Sequence, residues 1–111
     1  MATIEFLVQG SAEEPYRVTF IRKGQGNLSA YCTCPAGENG QYCKHRFRIM
    51  ARETTGIVSS NLGEVETVAA WIPGSDIERA LRDVHSAEER LEIAKKSLSN
   101  SKRALARAMR D

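Results

Sequence analysis

The chain has 111 residues, of which 41% are hydrophobic and only 6% aromatic, enough for one modest domain and an extension. Its net charge is +2, from 16 basic and 14 acidic residues, a balance too even for a protein that binds nucleic acid by bulk charge. The N-terminal residues show no basic stretch followed by a long apolar run, so we expect no secretory signal, no membrane span, and a cytoplasmic or nuclear location.

Three short strands are predicted in the first third of the chain. Apolar and polar residues alternate over residues 2–9 and again over residues 16–22, as expected for half-buried strands. Residues 28–33 form the third strand, and both intervening segments are polar turns that contain glycine. A three-stranded antiparallel sheet is the simplest arrangement.

The third strand leads into a stretch that holds all three cysteines and one of the two histidines of the chain. The spacing is C-x-C, eight residues, then C-x-H, formed by Cys32, Cys34, Cys43 and His45. Residues two apart on a strand point to one face, so the first two sulfurs can aim at one point. Residues two apart within a helix lie roughly 200° apart, so Cys43 should lie just before a helix and His45 in its first turn.

Three thiolates and one imidazole are a ligand set that tetrahedral zinc takes. Since no further ligand stands nearby, the set is closed, which indicates a structural rather than a catalytic zinc. The alternative is that the cysteines are buried small hydrophobes or redox thiols, and their odd number argues against a closed disulfide framework.

The helix that contains His45 should run to about Glu53. Basic residues recur every four positions along it, at Lys44, Arg48 and Arg52. In one interpretation this basic stripe contacts phosphate or an acidic protein surface. In the other it is an ordinary solvent-exposed face of the helix. The apolar residues that can share another face are Phe47, Met50 and Ala51.

This order of C-x-C, C-x-H and helix after a pair of strands resembles the SWIM zinc finger. The resemblance covers roughly residues 15–53, about a third of the chain. It implies a small ββα unit that binds zinc through the three cysteines and His45. In that family the finger is an accessory module of larger proteins, including transposases, helicase-like ATPases and ubiquitin-pathway proteins, and it binds DNA or proteins without catalysing a reaction. This chain departs from the family because it is almost entirely finger and C-terminal helix, so no neighbouring enzyme's activity carries over.

Residues 54–74 are predicted to be a connector with a short helix. The sequence from Asn61 to Glu64 has the form of a capping box, and apolar residues follow it at helical spacing. Pro73 and Gly74 end this helix. Trp71 is interpreted as a core or interface anchor. The apolar positions of the helix are Val65, Val68, Ala69 and Ile72.

Residues 75–111 are predicted to form one long helix that opens with a second capping box, Ser75 and Glu78, and runs to about Met109. Large apolar residues recur every seven positions along it, and small residues occupy the other position of the same seam. The large residues are Ile77, Val84, Leu91, Leu98 and Leu105, and the small ones are Ala80, Ala87, Ala94, Ser101 and Ala108. The helix is too long to bury this seam on its own finger, so it must protrude, fold against another segment or pair with another chain. His85 is interpreted as a surface residue.

The charges of the long helix are divided between its halves. Residues 76–92 hold six acidic and three basic residues, whereas residues 95–111 hold six basic and one acidic. Two such helices would match opposite charges if they lay antiparallel, so we hypothesise an antiparallel homodimer. In the competing interpretation, the basic end is a nucleic-acid arm that uses Arg103 and Arg107.

Together these patterns predict an α+β fold with a zinc finger over residues 1–53, a connector over residues 54–74 and a coiled-coil-like helix over residues 75–111. Since no nucleophile–base arrangement, phosphate loop or paired carboxylates are seen, we expect no enzyme. The favoured function is a small zinc-binding adaptor or regulator that recognises a partner protein and self-associates through the helix. One alternative is a DNA-binding protein, and another is a small inhibitor of a second macromolecule.

Overall fold

The computed structural model describes residues 2–24 and 26–110. The chain divides into two compact units, Met1–Glu78 and Arg79–Asp111. The first unit combines a sheet with short helices and the second is part of one long helix, so the predicted α+β class is confirmed.

The sheet has three antiparallel strands in the order β1 (Ala2–Val8), β2 (Tyr16–Gly24) and β3 (Asn27–Cys32). Alternate residues of each strand face the core, because successive side chains of a strand point to opposite faces. Phe6 and Phe20 are fully buried there, with their rings edge to face and 6.1 Å between centroids. The predicted strands are therefore present, within two residues of the predicted bounds.

In the described part of the chain, four helices follow the sheet: α1 (Pro35–Glu38), α2 (Lys44–Met50), α3 (Glu64–Trp71) and α4 (Asp76–Ala108). The single turn α1 lies where only a loop was predicted. Among the described residues no helix has the length and apolar run needed to cross a membrane.

Helix α2 differs from its prediction in length and in its buried face. It ends at Met50, because the chain turns at Ala51 and Arg52 takes a left-handed conformation with φ 66°. Its fully buried apolar residue is Ile49, which the predicted face did not include, whereas Ala51 is exposed. Of the other predicted face residues, Met50 packs partly against the core and Phe47 stacks on Tyr42.

Helix α3 is present as predicted, with Val65, Val68 and Ala69 buried. The predicted capping box is wrong, because the Asn61 side chain bonds elsewhere. Its amide nitrogen donates to the backbone oxygen of Glu5 at 2.8 Å, and its oxygen accepts from the Ser59 hydroxyl at 2.7 Å.

Residues 56–61 run along the outer side of β1. The backbone N–H of Val58 donates to the oxygen of Leu7 at 2.8 Å, and that of Leu7 donates to the Ser59 hydroxyl at 3.1 Å. With α3 in the core, this segment belongs to the compact unit, which extends well beyond residue 53. The physical reason is burial, since Val65 and Val68 cover core surface that the finger alone would leave exposed.

Candidate metal centre

The four predicted ligands lie together and are all buried. Cys32 ends β3, and Cys34 follows two residues later as the N-cap of α1. Cys43 is the N-cap residue of α2, and His45 is the second residue of that helix. The prediction that Cys43 lies just before the helix and His45 in its first turn is therefore confirmed.

The ligand atoms are spaced as a tetrahedral zinc site requires. All four lie within 4.8 Å of one another. The sulfurs of Cys34 and Cys43 are 3.4 Å apart, and Nδ1 of His45 is 3.6 Å from the Cys43 sulfur and 3.8 Å from the Cys32 sulfur. With Zn–S and Zn–N bonds of about 2.3 and 2.0 Å, the edges of a regular tetrahedron are about 3.8 and 3.5 Å. The four residues therefore fit one zinc ion, with His45 offering Nδ1.

Residues outside the ligand set fix the geometry of the site. The backbone N–H of Gly37 donates to the Cys34 sulfur at 3.3 Å. The Tyr16 ring lies against the His45 ring, with 5.0 Å between centroids. Gly10 leaves room for this contact, because a Cβ there would come within 2.5 Å of the Tyr16 ring. Such outer contacts orient metal ligands and raise metal affinity.

Arg46 ties the two halves of the site together. Its Nη1 donates to the backbone oxygen of Ala30 on β3 at 3.1 Å, and its Nη2 donates to the oxygen of Gln41 in the loop between the ligand pairs. The sequence carries no signal for this role, because Arg46 looks like one more surface cation among its basic neighbours.

The pKa values of the ligands follow from burial and local hydrogen bonds. Burial raises the pKa of the Cys32 thiol to about 12. Burial also acts to raise the pKa of Cys43, but hydrogen bonds outweigh it, chiefly from the backbone N–H of Arg46, and the net shift is downward. Burial, assisted by the charges of Lys44 and Arg48, lowers the pKa of His45 and keeps its imidazole in the neutral form that binds metal.

The predicted partner-binding residues lie at separate places. Lys44 and Arg48 are exposed on α2. Arg52 lies beyond the end of that helix, where its Nε is 3.1 Å from a Glu66 carboxylate oxygen. The predicted stripe is therefore only two residues long. On α4, Arg103 reaches the Ser99 hydroxyl at 3.4 Å and Arg107 lies in the last turn.

Comparison with protein families gives one match, to the SWIM zinc finger, over residues 6–50. Comparisons with curated proteins and with solved structures give no match. The matched residues contain the whole C-x-C, C-x-H motif and the four clustered side chains. Residues 6–50 of this chain are therefore similar to the SWIM zinc finger and carry its complete zinc-ligand motif.

Proposed function

We propose that this protein is a non-catalytic zinc-binding interaction module that recognises a partner protein and self-associates through α4. The observation that carries the proposal is the exposed apolar row of α4. The finger supports it, because four protein ligands complete a tetrahedral site and leave zinc no open position for substrate or water.

The row on α4 is made of exposed leucines. Leu91, Leu98 and Leu105 are 54%, 56% and 60% exposed, and none of the 33 residues of α4 is buried. Single exposed leucines are common, but a row repeated at heptad spacing on one helix marks a surface that packs against another helix. This row is therefore an association surface.

The finger also presents aromatic surface beside the metal site. Tyr42 is 65% exposed and stacks on Phe47 with 4.2 Å between ring centroids. Exposed aromatic residues are enriched at the centres of protein interfaces, where they supply large contact areas. Residues 1–53 hold seven basic and five acidic residues, so the finger carries little net charge. Its aromatic surface therefore suits a protein partner better than a phosphate backbone.

The self-association is tested by light scattering and sedimentation on the zinc-loaded chain from about 1 to 200 µM. We expect a concentration-dependent dimer that Leu98→Glu abolishes. The matched control is Ile93→Glu, since Ile93 is even more exposed than Leu98, at 68% against 56%, but lies off the heptad row. A monomer across the whole range, or equal loss in both variants, would refute the self-association.

Nucleic-acid binding is the competing function, and a specific observation favours it. Lys44 and Arg48 lie one helical turn apart on α2, and within residues 2–24 and 26–110 neither has an ion-pair partner.

Fluorescence anisotropy against random DNA and RNA at about 50 and 200 mM salt distinguishes the two functions. We expect weak binding at most, whereas a tenfold or larger loss of affinity with salt would show several phosphate contacts and favour nucleic acid. Arg48→Ala and Arg107→Ala would then identify which end of the chain binds.

A further inference from the structure

We infer that α4 pairs with α4 of a second copy in an antiparallel orientation, in the one register that matches both helices along their full length. This inference rests on the proposed self-association and specifies its geometry. Three independent properties of α4 lead to it: side-chain size, charge placement and the position of the helix ends.

Side-chain size favours the antiparallel orientation. In a parallel pair each layer of the seam joins like positions, so leucine layers would alternate with alanine layers. Because leucines hold the helix axes apart, the alanine layers would be underpacked. In an antiparallel pair each layer joins one position to the other, so a large residue meets a small one in every layer and the helices approach uniformly.

The helix ends select the register. Helix α4 spans Asp76–Ala108, and the seam runs from Ile77 to Ala108. One antiparallel register places every seam residue in a layer, with no overhang at either end. Its layers on each side of the two-fold axis pair the following residues with those of the partner subunit: Ile77 with Ala108, Val84 with Ser101, Leu91 with Ala94, Leu98 with Ala87 and Leu105 with Ala80. A shift by one heptad leaves two layers unmade.

Charges beside the seam oppose the parallel orientation. In a parallel pair, flanking residues five apart in sequence face each other across the seam. This would place Asp83 beside Glu88 of the partner subunit, and Arg90 beside Lys95 of the partner subunit, which are two like-charge contacts that each occur twice. The antiparallel register instead places Glu88 beside Lys102 of the partner subunit, an opposite-charge contact that occurs twice between exposed side chains. Its like-charge contacts are fewer, because Arg90 and Lys95 each meet the same residue of the partner subunit only once, near the two-fold axis.

The contact area sets the expected affinity. A helix of 33 residues is about 50 Å long, and a strip about 10 Å wide along it covers roughly 500 Å² on each partner. The total of about 1,000 Å² lies at the lower limit for specific interfaces. We therefore expect a dissociation constant in the micromolar range, which light scattering can follow.

Spin-label distances in the full zinc-loaded chain test orientation and register together. Single cysteines replace Ala106 and Glu92, which lie on the outer side of α4, while the three native cysteines are buried and hold zinc. The two labels at position 106 lie 27 residues apart along the pair, about 40 Å, and about 20 Å apart across it, so the register predicts about 45 Å between them. At position 92 it predicts about 20 Å. Wild-type protein treated with the same spin label is the control, because it should take up no label if zinc protects the native thiolates.

The measured distances and light scattering separate three results: a parallel pair, an antiparallel pair in another register, and no dimer. About 20 Å at both positions would overturn the inference in favour of a parallel pair. A distance near 35 or 55 Å at position 106 would overturn the register, because a slip of one heptad moves the two labels by about 10 Å along the pair. A protein that remains monomeric by light scattering would refute the proposed self-association itself, so the two failures are distinguishable.

Charge reversal at Glu88 is a second test, because it should change the affinity of the dimer in opposite directions for the two orientations. Glu88→Lys should weaken the antiparallel dimer about tenfold or more, because it creates two repulsive contacts with Lys102 of the partner subunit. Adding Lys102→Glu should recover most of that loss. In a parallel dimer Glu88→Lys would instead strengthen association, because the new lysine would face Asp83 of the partner subunit. Stronger association after this single substitution would therefore overturn the inference.

Discussion

At the scale of single residues, the zinc-loaded metal site places a net negative charge among buried side chains. Zinc with three thiolates and a neutral imidazole carries a net charge of −1, and all four ligands are buried. Lys44 and Arg48 stand close enough for their charges to lower the pKa of His45. The same positive charges offset the negative charge of the loaded site. These two residues therefore contribute to the metal site whether or not they also contact a partner.

The two histidines of the chain provide a matched pair of substitutions. His45→Ala should weaken zinc binding more than about 100-fold, because even outer contacts of a metal site contribute about 10- to 100-fold. His85→Ala should leave zinc affinity unchanged, because His85 is exposed on α4. Competition with a chromophoric chelator measures both affinities. Equal effects of the two substitutions would contradict the assignment of His45 as a ligand.

Zinc affinity should rise with pH, by at least about tenfold per unit between pH 6 and 8. Even an ordinary cysteine thiol has a pKa of about 8.5, so zinc must displace protons from its cysteine ligands throughout this range. Burial in the folded chain raises the pKa of the Cys32 thiol further, to about 12. His45 adds little to this slope above neutral pH, because its lowered pKa already leaves it unprotonated. Calorimetry in buffers of different ionisation enthalpy should show at least one proton released per zinc at pH 7. Heats that do not depend on the buffer would contradict this.

The ligands themselves could be predicted from the sequence, because cysteine and histidine spacing reflects local backbone geometry. Gly10, Gly37 and Arg46 could not. Their roles depend on contacts with Tyr16, Cys32 and Ala30 in the folded chain, which the spacing of residues does not reveal.

At the scale of elements, α1 shows how the ligand loop is held. Its single turn starts at Cys34, whose sulfur accepts the N–H of Gly37. A Cβ at Gly37 would lie 2.5 Å from the backbone oxygen of Cys32. The turn can therefore approach the end of β3 only because residue 37 has no side chain.

Gly37→Ala should push α1 away from β3 and disturb two ligands at once. We expect zinc binding to weaken at least tenfold and the free energy of unfolding to fall by about 2 kcal/mol, as for other overpacked sites. Gly63→Ala is the control, because a Cβ there meets open space at the start of α3. Zinc titration and denaturant unfolding of both variants measure the difference. An unchanged Gly37→Ala variant would show that the turn shifts freely.

Element types were predictable wherever the apolar period was long, as in the strands and α4. The errors at Asn61 and at residues 35–38 arose where a hydrogen bond of a side chain, distant or local in sequence, decides the backbone conformation. Asn61 has the sequence context of a helix cap, but its amide joins the loop to β1. Residues 35–38 contain proline and glycine typical of a loop, but the Cys34 sulfur caps a turn of helix there.

At the scale of the whole molecule, the compact unit is larger than the zinc finger. Residues 6–50 match the family, whereas the unit extends to Glu78 and includes α3 in its core. The sequence could not show this, because short apolar periods do not reveal which surface they pack against. The additional core supplements the stabilisation that zinc provides to a small domain.

Zinc removal should unfold the first unit and leave α4 helical. Structural zinc contributes on the order of 10 kcal/mol to the folding of comparable peptides, more than a small core supplies alone. After chelation, amide spectra should lose the dispersed signals of the sheet while circular dichroism retains the helical signal of α4. Readdition of zinc is the control for reversibility. Unchanged spectra after chelation would mean that the core is stable without metal.

The edges of the small sheet restrict how a partner can approach it. Residues 56–61 bond along the outer side of β1. On β3, the N–H of Leu28 donates to the Asp76 carboxylate at 3.1 Å and the oxygen of Ala30 accepts from Arg46 at 3.1 Å. An incoming strand would have to displace these bonds before it could extend the sheet. Recognition by strand addition, and edge-to-edge aggregation by the same route, are therefore disfavoured.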